Sequence, residues 1–262
     1  MTMLRVCFIG DSITAGTGDS ELRGWPGRLA LAETRRGHDL TIYNLGIRSD
    51  TSPLIAARWH RECEARIPPH VPSALVFAFG VNDVAQIEGE TDIRVSCKAS
   101  LEAARSIIGA AAEWLPVLWI GPAPVDDARQ PLRPGLGTNY CYDNERIAAL
   151  SEAFAGLATE LGVPYLPLFP TLQFDPVWMQ ALAEGDGVHP AREGYRLIAR
   201  LIEEHATWRS WFGFADEISS TVQIQFAGFR AARIATRKTM IARNGTPSNH
   251  VFRNPTATSS TS

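Results

Sequence analysis

Four short apolar runs, each stopped by a glycine, set the frame of this chain. They are Leu4-Arg5-Val6-Cys7-Phe8-Ile9 before Gly10, Leu40 to Leu45 before Gly46, Ala74 to Phe79 before Gly80, and Pro116 to Ile120 before Gly121. Runs this short, rich in Val, Ile and Phe and closed by a turn residue, read as buried β-strands. Longer segments with helical periodicity separate them: Trp25 to Arg36, Pro53 to Ile67, and Asp92 to Trp114. Pro26 and Pro53 suit first helical turns, and Gly37 suits a stop. Strands alternating with helices give a parallel sheet covered by helices on both faces. A fifth short strand, Val163 to Leu168, carries two prolines and belongs at an edge. The α/β arrangement expected is a five-stranded parallel sheet in the order 2-1-3-4-5, with its switch point between strands 1 and 3.

Further helices are expected over Asn139 to Leu161 and Ala191 to Trp208. The proline- and glycine-rich stretch from Val125 to Thr138 reads as a long loop, and such loops are often functional. Phe169 to Gly185 reads as a loop or irregular helix. The alternation ends near Phe214. Residues 1–214 are therefore expected to form one domain, and 215–262 an extension, largely disordered because its end is rich in Asn, Thr, Ser and Pro. Within the extension, Val222 to Ile241 is weakly amphipathic and basic; a membrane-surface or partner helix would show this pattern, but an appended segment without a packed role is the favoured reading.

A net charge of -3 over 262 residues gives no reason to expect a nucleic-acid partner. No apolar run approaches the roughly eighteen residues of a membrane span. The start of the chain leads straight into a core strand, with no signal peptide, and the four cysteines (Cys7, Cys63, Cys97, Cys141) form no close pair. Free buried thiols in a cytoplasmic protein are expected, with no metal and no cofactor.

The strand ends carry the chemistry. In a doubly wound sheet they lie side by side along one edge. Strand 1 ends in Gly10-Asp11-Ser12, which makes Ser12 a candidate nucleophile. A serine hydroxyl needs a base, an orienting group and an oxyanion site. Strand 2 ends at Gly46, whose N–H no Cβ shields, and strand 3 leads to Asn82, which has a side-chain amide. With the N–H of Ser12 they supply three donors. Of six histidines, only His189 sits in a loop just before a helix. Asp186 stands three residues earlier in Asp186-Gly187-Val188-His189-Pro190, so one tight loop can supply base and orienting carboxylate together. His38, after a helix exit, reads as solvated.

The blocks Phe8-Ile9-Gly10-Asp11-Ser12, Asn44-Leu45-Gly46, Gly80-Val81-Asn82-Asp83 and Asp186-Gly187-Val188-His189-Pro190 together resemble the SGNH hydrolases, also called GDSL-type lipases and esterases. The resemblance covers about Leu4 to Phe214. It implies a flavodoxin-like three-layer fold and hydrolysis of a small carboxylic ester through an acyl-enzyme, without a metal. Carried over, Ser12 is the nucleophile, His189 the base and acid, and Asp186 its partner, while Ser12, Gly46 and Asn82 form the oxyanion hole. Trp25, Phe169 and Trp178, with Phe174 and Met179, are candidates to line an acyl groove. A carbohydrate O-deacetylase or an acyltransferase would use the same triad. A phosphate- or nucleotide-binding module is disfavoured, since Gly10, Gly16 and Gly18 fit neither phosphate-loop spacing, and a non-catalytic interaction module of the same fold is disfavoured because every chemical position is filled.

Overall fold

The computed structural model describes residues 2–135 and 137–213, all within a compact unit that spans Met1–Asp216. In chain order the elements are β1 (Met3–Gly10), α1 (Ser12–Ala15), α2 (Gly24–Arg35), β2 (Asp39–Gly46), α3 (Ser52–Glu64), β3 (Ser73–Ala78), β4 (Gln86–Ile87), α4 (Cys97–Trp114) and β5 (Val117–Ile120). After a 3-10 turn at Asp127–Arg129 come β6 (Tyr140–Cys141), α5 (Asn144–Leu161), β7 (Tyr165–Leu166), α6 (Leu168–Leu172), α7 (Pro176–Glu184), α8 (Arg192–Glu204) and α9 (Ala206–Trp211). The basic stretch and the extension anticipated from sequence lie outside the described residues.

The main sheet runs β2-β1-β3-β5-β7 and is parallel throughout. With the two-residue strands β4 and β6 set aside as an antiparallel pair, this is the order expected, 2-1-3-4-5. Alternation along each strand divides the core in two. Cys7 and Ile9 of β1, Leu75 and Phe77 of β3, and Trp119 of β5 pack with Trp59 of α3, Ile107 of α4 and Phe154 of α5. Val6 and Phe8, Ala74 and Val76, and Leu118 face the other way, against Trp25 and Leu29 of α2, Tyr195 and Ile198 of α8, and Trp208 of α9. The result is three layers with both sheet faces dry. Among the described residues no helix is long and apolar enough to cross a membrane.

Three expected helices are corrected by local chemistry. The helix expected from Asp92 starts at Cys97, where the Ser96 side chain accepts from the Ala99 N–H. The residues before it run back along the loop after β3, with Arg94 N–H on the Ala85 carbonyl and Val95 N–H on the Asp83 carbonyl. The helix expected from Asn139 starts at Asn144, capped by Asp143, because Tyr140–Cys141 pairs with Gln86–Ile87. The last helix is two, broken at His205, whose extended backbone lets its ring accept from the Thr207 N–H. Phe169 to Gly185 is largely helical, as α6 and α7, the latter capped by Asp175 with Pro176 in its first turn. His38 is half-buried against Phe212, with ring centroids 5.1 Å apart.

Candidate active site

Ser12 is the first residue of α1, directly beyond the carboxyl end of β1. Asp11 caps this short helix through Oδ1, which accepts from the Ile13 N–H at 2.9 Å. The N–H of Ser12 opens the helix and so has no acceptor within it. Its hydroxyl is buried and meets His189 Nε2 at 2.8 Å, across 177 residues of sequence.

The histidine is held by a local loop. Asp186 Oδ1 accepts from the backbone N–H groups of Val188 and His189, at 3.0 and 2.7 Å, and Oδ2 meets His189 Nδ1 at 2.7 Å. Gly187 makes the turn at φ 91°, a conformation that disfavours any residue with a Cβ. Burial opposes the charge on Asp186, but the His189 ring and the two backbone donors outweigh it and hold the carboxyl at about 2. An ionised carboxylate only accepts, so Nδ1 carries the proton and Nε2 offers its lone pair to the Ser12 hydroxyl.

The loop leans on the long segment after β5. The Asp126 N–H donates to the Gly187 carbonyl at 2.8 Å. Arg129 Nη1 gathers the carbonyls of Leu182, Ala183 and Gly185 at the end of α7, at 3.2, 2.6 and 2.9 Å. The stretch read as a functional loop thus braces the triad from behind.

Asn82 stands two residues beyond Gly80, past the end of β3, and is buried. Its Nδ2 donates to the Asp50 carbonyl and its Oδ1 accepts from the Tyr142 hydroxyl, both at 3.0 Å. One Nδ2 proton remains for a ligand. Next to it, Asp83 ties the loop to α3, accepting from the Ser52 N–H at 2.7 Å and the Ser52 hydroxyl at 2.5 Å.

Gly46 does not serve as expected. Its N–H is already given to Asn44 Oδ1 at 3.0 Å, and Asn44 Nδ2 donates in turn to the Thr14 carbonyl at 2.8 Å. A Cβ at Gly46 would come within 2.3 Å of Ala15 N. This glycine is small so that α1 can seat against β2, and its N–H is not free for substrate. The next turn, Ile47 to Asp50, is closed by the Asp50 N–H on the Ile47 carbonyl. It holds Ser49 at φ 65°, the position where a type II turn favours glycine. Ser49 N–H has no hydrogen-bond partner among the described residues.

That turn is pinned from three sides. Arg94 Nη2 donates to the Ser49 carbonyl at 2.9 Å, Asn82 holds the Asp50 carbonyl, and Arg58 Nε meets Asp50 Oδ2 at 2.7 Å. Arg58 also donates to the carbonyls of Leu45 and Gly10, at 2.9 and 3.0 Å, so one guanidinium joins the ends of β1 and β2 to the turn. Arg58, Ser49 and Tyr142 were not singled out by the sequence reading. Ser49 alone carried a local signal, as the residue before an Asp-Thr-Ser helix start.

Asp11 has a second aspect. Burial pushes its carboxyl up to about 7, against the Ile13 hydrogen bond and the nearby His189. It borders a cavity of about 30 Å³ otherwise lined by apolar groups, among them Ile13, Trp25, Val81, Val125 and Val188, room for a water molecule or two.

The aromatic residues expected to line an acyl groove are core instead. Trp25, Phe169 and Trp178 are 1%, 7% and 0% exposed. Trp25 packs edge-on against Phe8 at 5.1 Å, and Trp178 donates its indole N–H to the Pro124 carbonyl at 3.1 Å. Of this group, Phe174 and Met179 are exposed. The four cysteines are free; Cys7 and Cys63 are buried as expected, but Cys97 is exposed and Cys141 half-buried.

Comparison with known proteins bears on the family and the fold. Residues 8–197 match the model of the GDSL-like lipase/acylhydrolase family. Esterase TesA of Pseudomonas aeruginosa is 26% identical over 184 residues, which span 70% of this chain and 78% of that protein. Among solved structures, a lipase/acylhydrolase from Enterococcus faecalis superposes with a TM-score of 0.59 at 23% identity, covering 76% of this chain and 93% of the other. An acetylxylan esterase from Geobacillus stearothermophilus gives 0.58 at 17% identity, covering 79% and 96%.

Proposed function

This chain belongs to the GDSL-like lipase/acylhydrolase family, its chemistry is ester hydrolysis, and on that footing we propose that Ser12, His189 and Asp186 cleave carboxylic esters through an acyl-enzyme on Ser12. The observation that carries the reading is the unbroken relay from Asp186 Oδ2 through His189 to Ser12 Oγ, at 2.7 and 2.8 Å. As Ser12 Oγ attacks the ester carbonyl, its proton passes to His189 Nε2, and the carboxylate of Asp186 stabilises the imidazolium that forms. The proton then goes to the departing alcohol. Water, deprotonated by His189, attacks the acyl group, and the same steps in reverse order free Ser12.

The negative oxygen of each tetrahedral intermediate needs preformed donors. The Ser12 N–H and the unclaimed Asn82 Nδ2 proton are two. For the third we assign the Ser49 N–H in place of Gly46. It is free, and its carbonyl is pinned by Arg94, while the Asp50 carbonyl next to it is held by Asn82 itself. A strained left-handed residue without glycine, over-determined by its surroundings, is a common mark of a functional turn.

The hydrolase domain is taken as residues 1–214, and free thiols at Cys7, Cys63, Cys97 and Cys141 support a cytoplasmic, reducing location. The test is hydrolysis of p-nitrophenyl acetate, butyrate and octanoate by the wild type and Ser12→Ala. The wild type should turn over at least one ester, and Ser12→Ala should lose roughly 10³-fold or more of that rate. Equal turnover by both proteins would remove Ser12 from the chemistry. Sugar acetates in the same assay separate a deacetylase from a general esterase.

A further inference from the structure

Asn82 can stabilise an oxyanion only if its amide faces the right way, and a free amide has two faces of nearly equal shape. The Asp50 carbonyl, 3.0 Å from Nδ2, can only accept, so it requires the NH₂ end. The opposite end, Oδ1, is then an acceptor in need of a donor. That donor is the hydroxyl of Tyr142, 3.0 Å away, from a residue sixty positions later in the chain.

We propose that Tyr142 is a positioning residue that locks and polarises the Asn82 amide so that its remaining N–H is presented to the oxyanion. The inference rests on the oxyanion role given to Asn82 above.

Tyr142 is built for this. It is buried, and its hydroxyl makes its one hydrogen bond, among the described residues, to Asn82. Its own N–H donates to Gln130 Oε1 at 3.2 Å, and it sits between β6 and the Asp143 cap of α5. Both neighbours fix the backbone, so the ring delivers its hydroxyl to one place. Burial pushes the phenol further above its ordinary range, so the proton that Asn82 needs stays on Tyr142 wherever ester hydrolysis is assayed. A hydrogen bond into an amide oxygen draws electron density from the amide nitrogen and strengthens its N–H donors. With the hydroxyl removed, Oδ1 is unpaired in a buried site. The amide is then freer to turn, and the Nδ2 proton it offers is a weaker donor.

The test is Tyr142→Phe, measured in the wild-type and Asn82→Ala backgrounds with p-nitrophenyl acetate, beside a trifluoromethyl ketone inhibitor that forms an oxyanion on Ser12. Loss of a whole oxyanion donor costs about 10²–10³ in rate, and loosening one should cost about tenfold in kcat with KM unchanged. Ketone binding should weaken by a similar factor. In Asn82→Ala protein the tyrosine substitution should have no further effect. Wild-type melting of Tyr142→Phe would exclude a folding defect as the cause. An equal loss in both backgrounds, or no loss in either, would overturn the proposal. If Asn82→Ala itself leaves kcat unchanged, the oxyanion assignment fails and the role of Tyr142 fails with it. If Asn82→Ala is slow while Tyr142→Phe is not, the tyrosine inference alone is wrong.

Discussion

The two halves of the site are built by opposite means. The half that carries Ser12, Ser49 and Asn82 is assembled from four distant stretches and tied by partly or wholly buried polar side chains: Arg58 to Gly10, Leu45 and Asp50, Asp83 to Ser52, and Tyr142 to Asn82. The half that carries the base is four residues long. Asp186 caps its own loop and orients His189 from three positions away, with its side chain 43% exposed at the rim. In the proposed mechanism the first half presents donors to a charge that exists only during reaction, which calls for a framework set in advance. In the same proposal the second moves a proton between two partners, and a short loop with one acceptor fixes the tautomer this requires. Precision on one side comes from tertiary structure, and on the other from a local turn.

The largest expected difference between the halves is in rate. Asp186→Asn should lower kcat by about 10⁴-fold, since the amide favours the wrong tautomer, while circular dichroism stays that of a folded protein and melting falls only by the share of stability that the charged carboxylate contributes. A collapse of the fold would show that the loop is as deeply integrated as the clamp. The next contrast is in stability. Arg58→Met removes the guanidinium that Asp50 and the Leu45 carbonyl accept from, and leaves Gly10 its Ile47 donor alone; it should cost about 2–4 kcal/mol by urea unfolding. Arg129→Met, on the rim side, releases three helix-end carbonyls that water can reach, and should cost about 1 kcal/mol. Equal costs would erase the distinction.

A third contrast is in pH. The folded Asp11 carboxyl lies near 7 rather than 3.8, so between those values the folded protein keeps a proton that the unfolded chain has lost. Stability from this group is therefore full below about pH 4 and declines as pH rises towards 7. Asp186 runs the other way: its contribution is present above about pH 4 and is lost as pH falls towards 2. Asp11→Asn, which still caps α1, should gain stability relative to wild type from pH 4 to 7, by up to about 4 kcal/mol. Parallel pH curves for the two proteins would contradict that burial. The smallest effect expected is at Ser49. Glycine there relieves the left-handed strain, so Ser49→Gly should raise stability by up to about 1 kcal/mol with activity retained. A large loss of activity would mean that the serine side chain acts in the chemistry.

The same division decided what could be read without coordinates. Asp186 and His189 were legible because their partnership is written within four residues, and the sheet order was legible because strands, four of them stopped by a glycine, alternate with helices. The clamp was not. Arg58 sits on a helix where an arginine ordinarily means a solvated face, and its targets lie up to 48 residues away. Tyr142 was hidden inside an expected helix, since strands of two residues have no periodicity to detect. Gly46 was misread because a missing side chain looks the same whether it bares an N–H or admits a neighbouring helix; the atoms of Ala15 decide between them. Of the aromatic residues near loops that are candidates for an acyl groove, Trp25, Phe169 and Trp178 supply packing area to the core instead.

The bond between Ser12 and His189 also has a meaning in time. During synthesis the amino-terminal strands and the oxyanion framework emerge long before Asp186 does, and domains condense as their chain becomes available. For most of that interval the growing polypeptide holds its nucleophile unarmed. In the proposed mechanism, serine and base meet only once the loop before α8 has been made, because the contact that joins them spans 177 residues of chain.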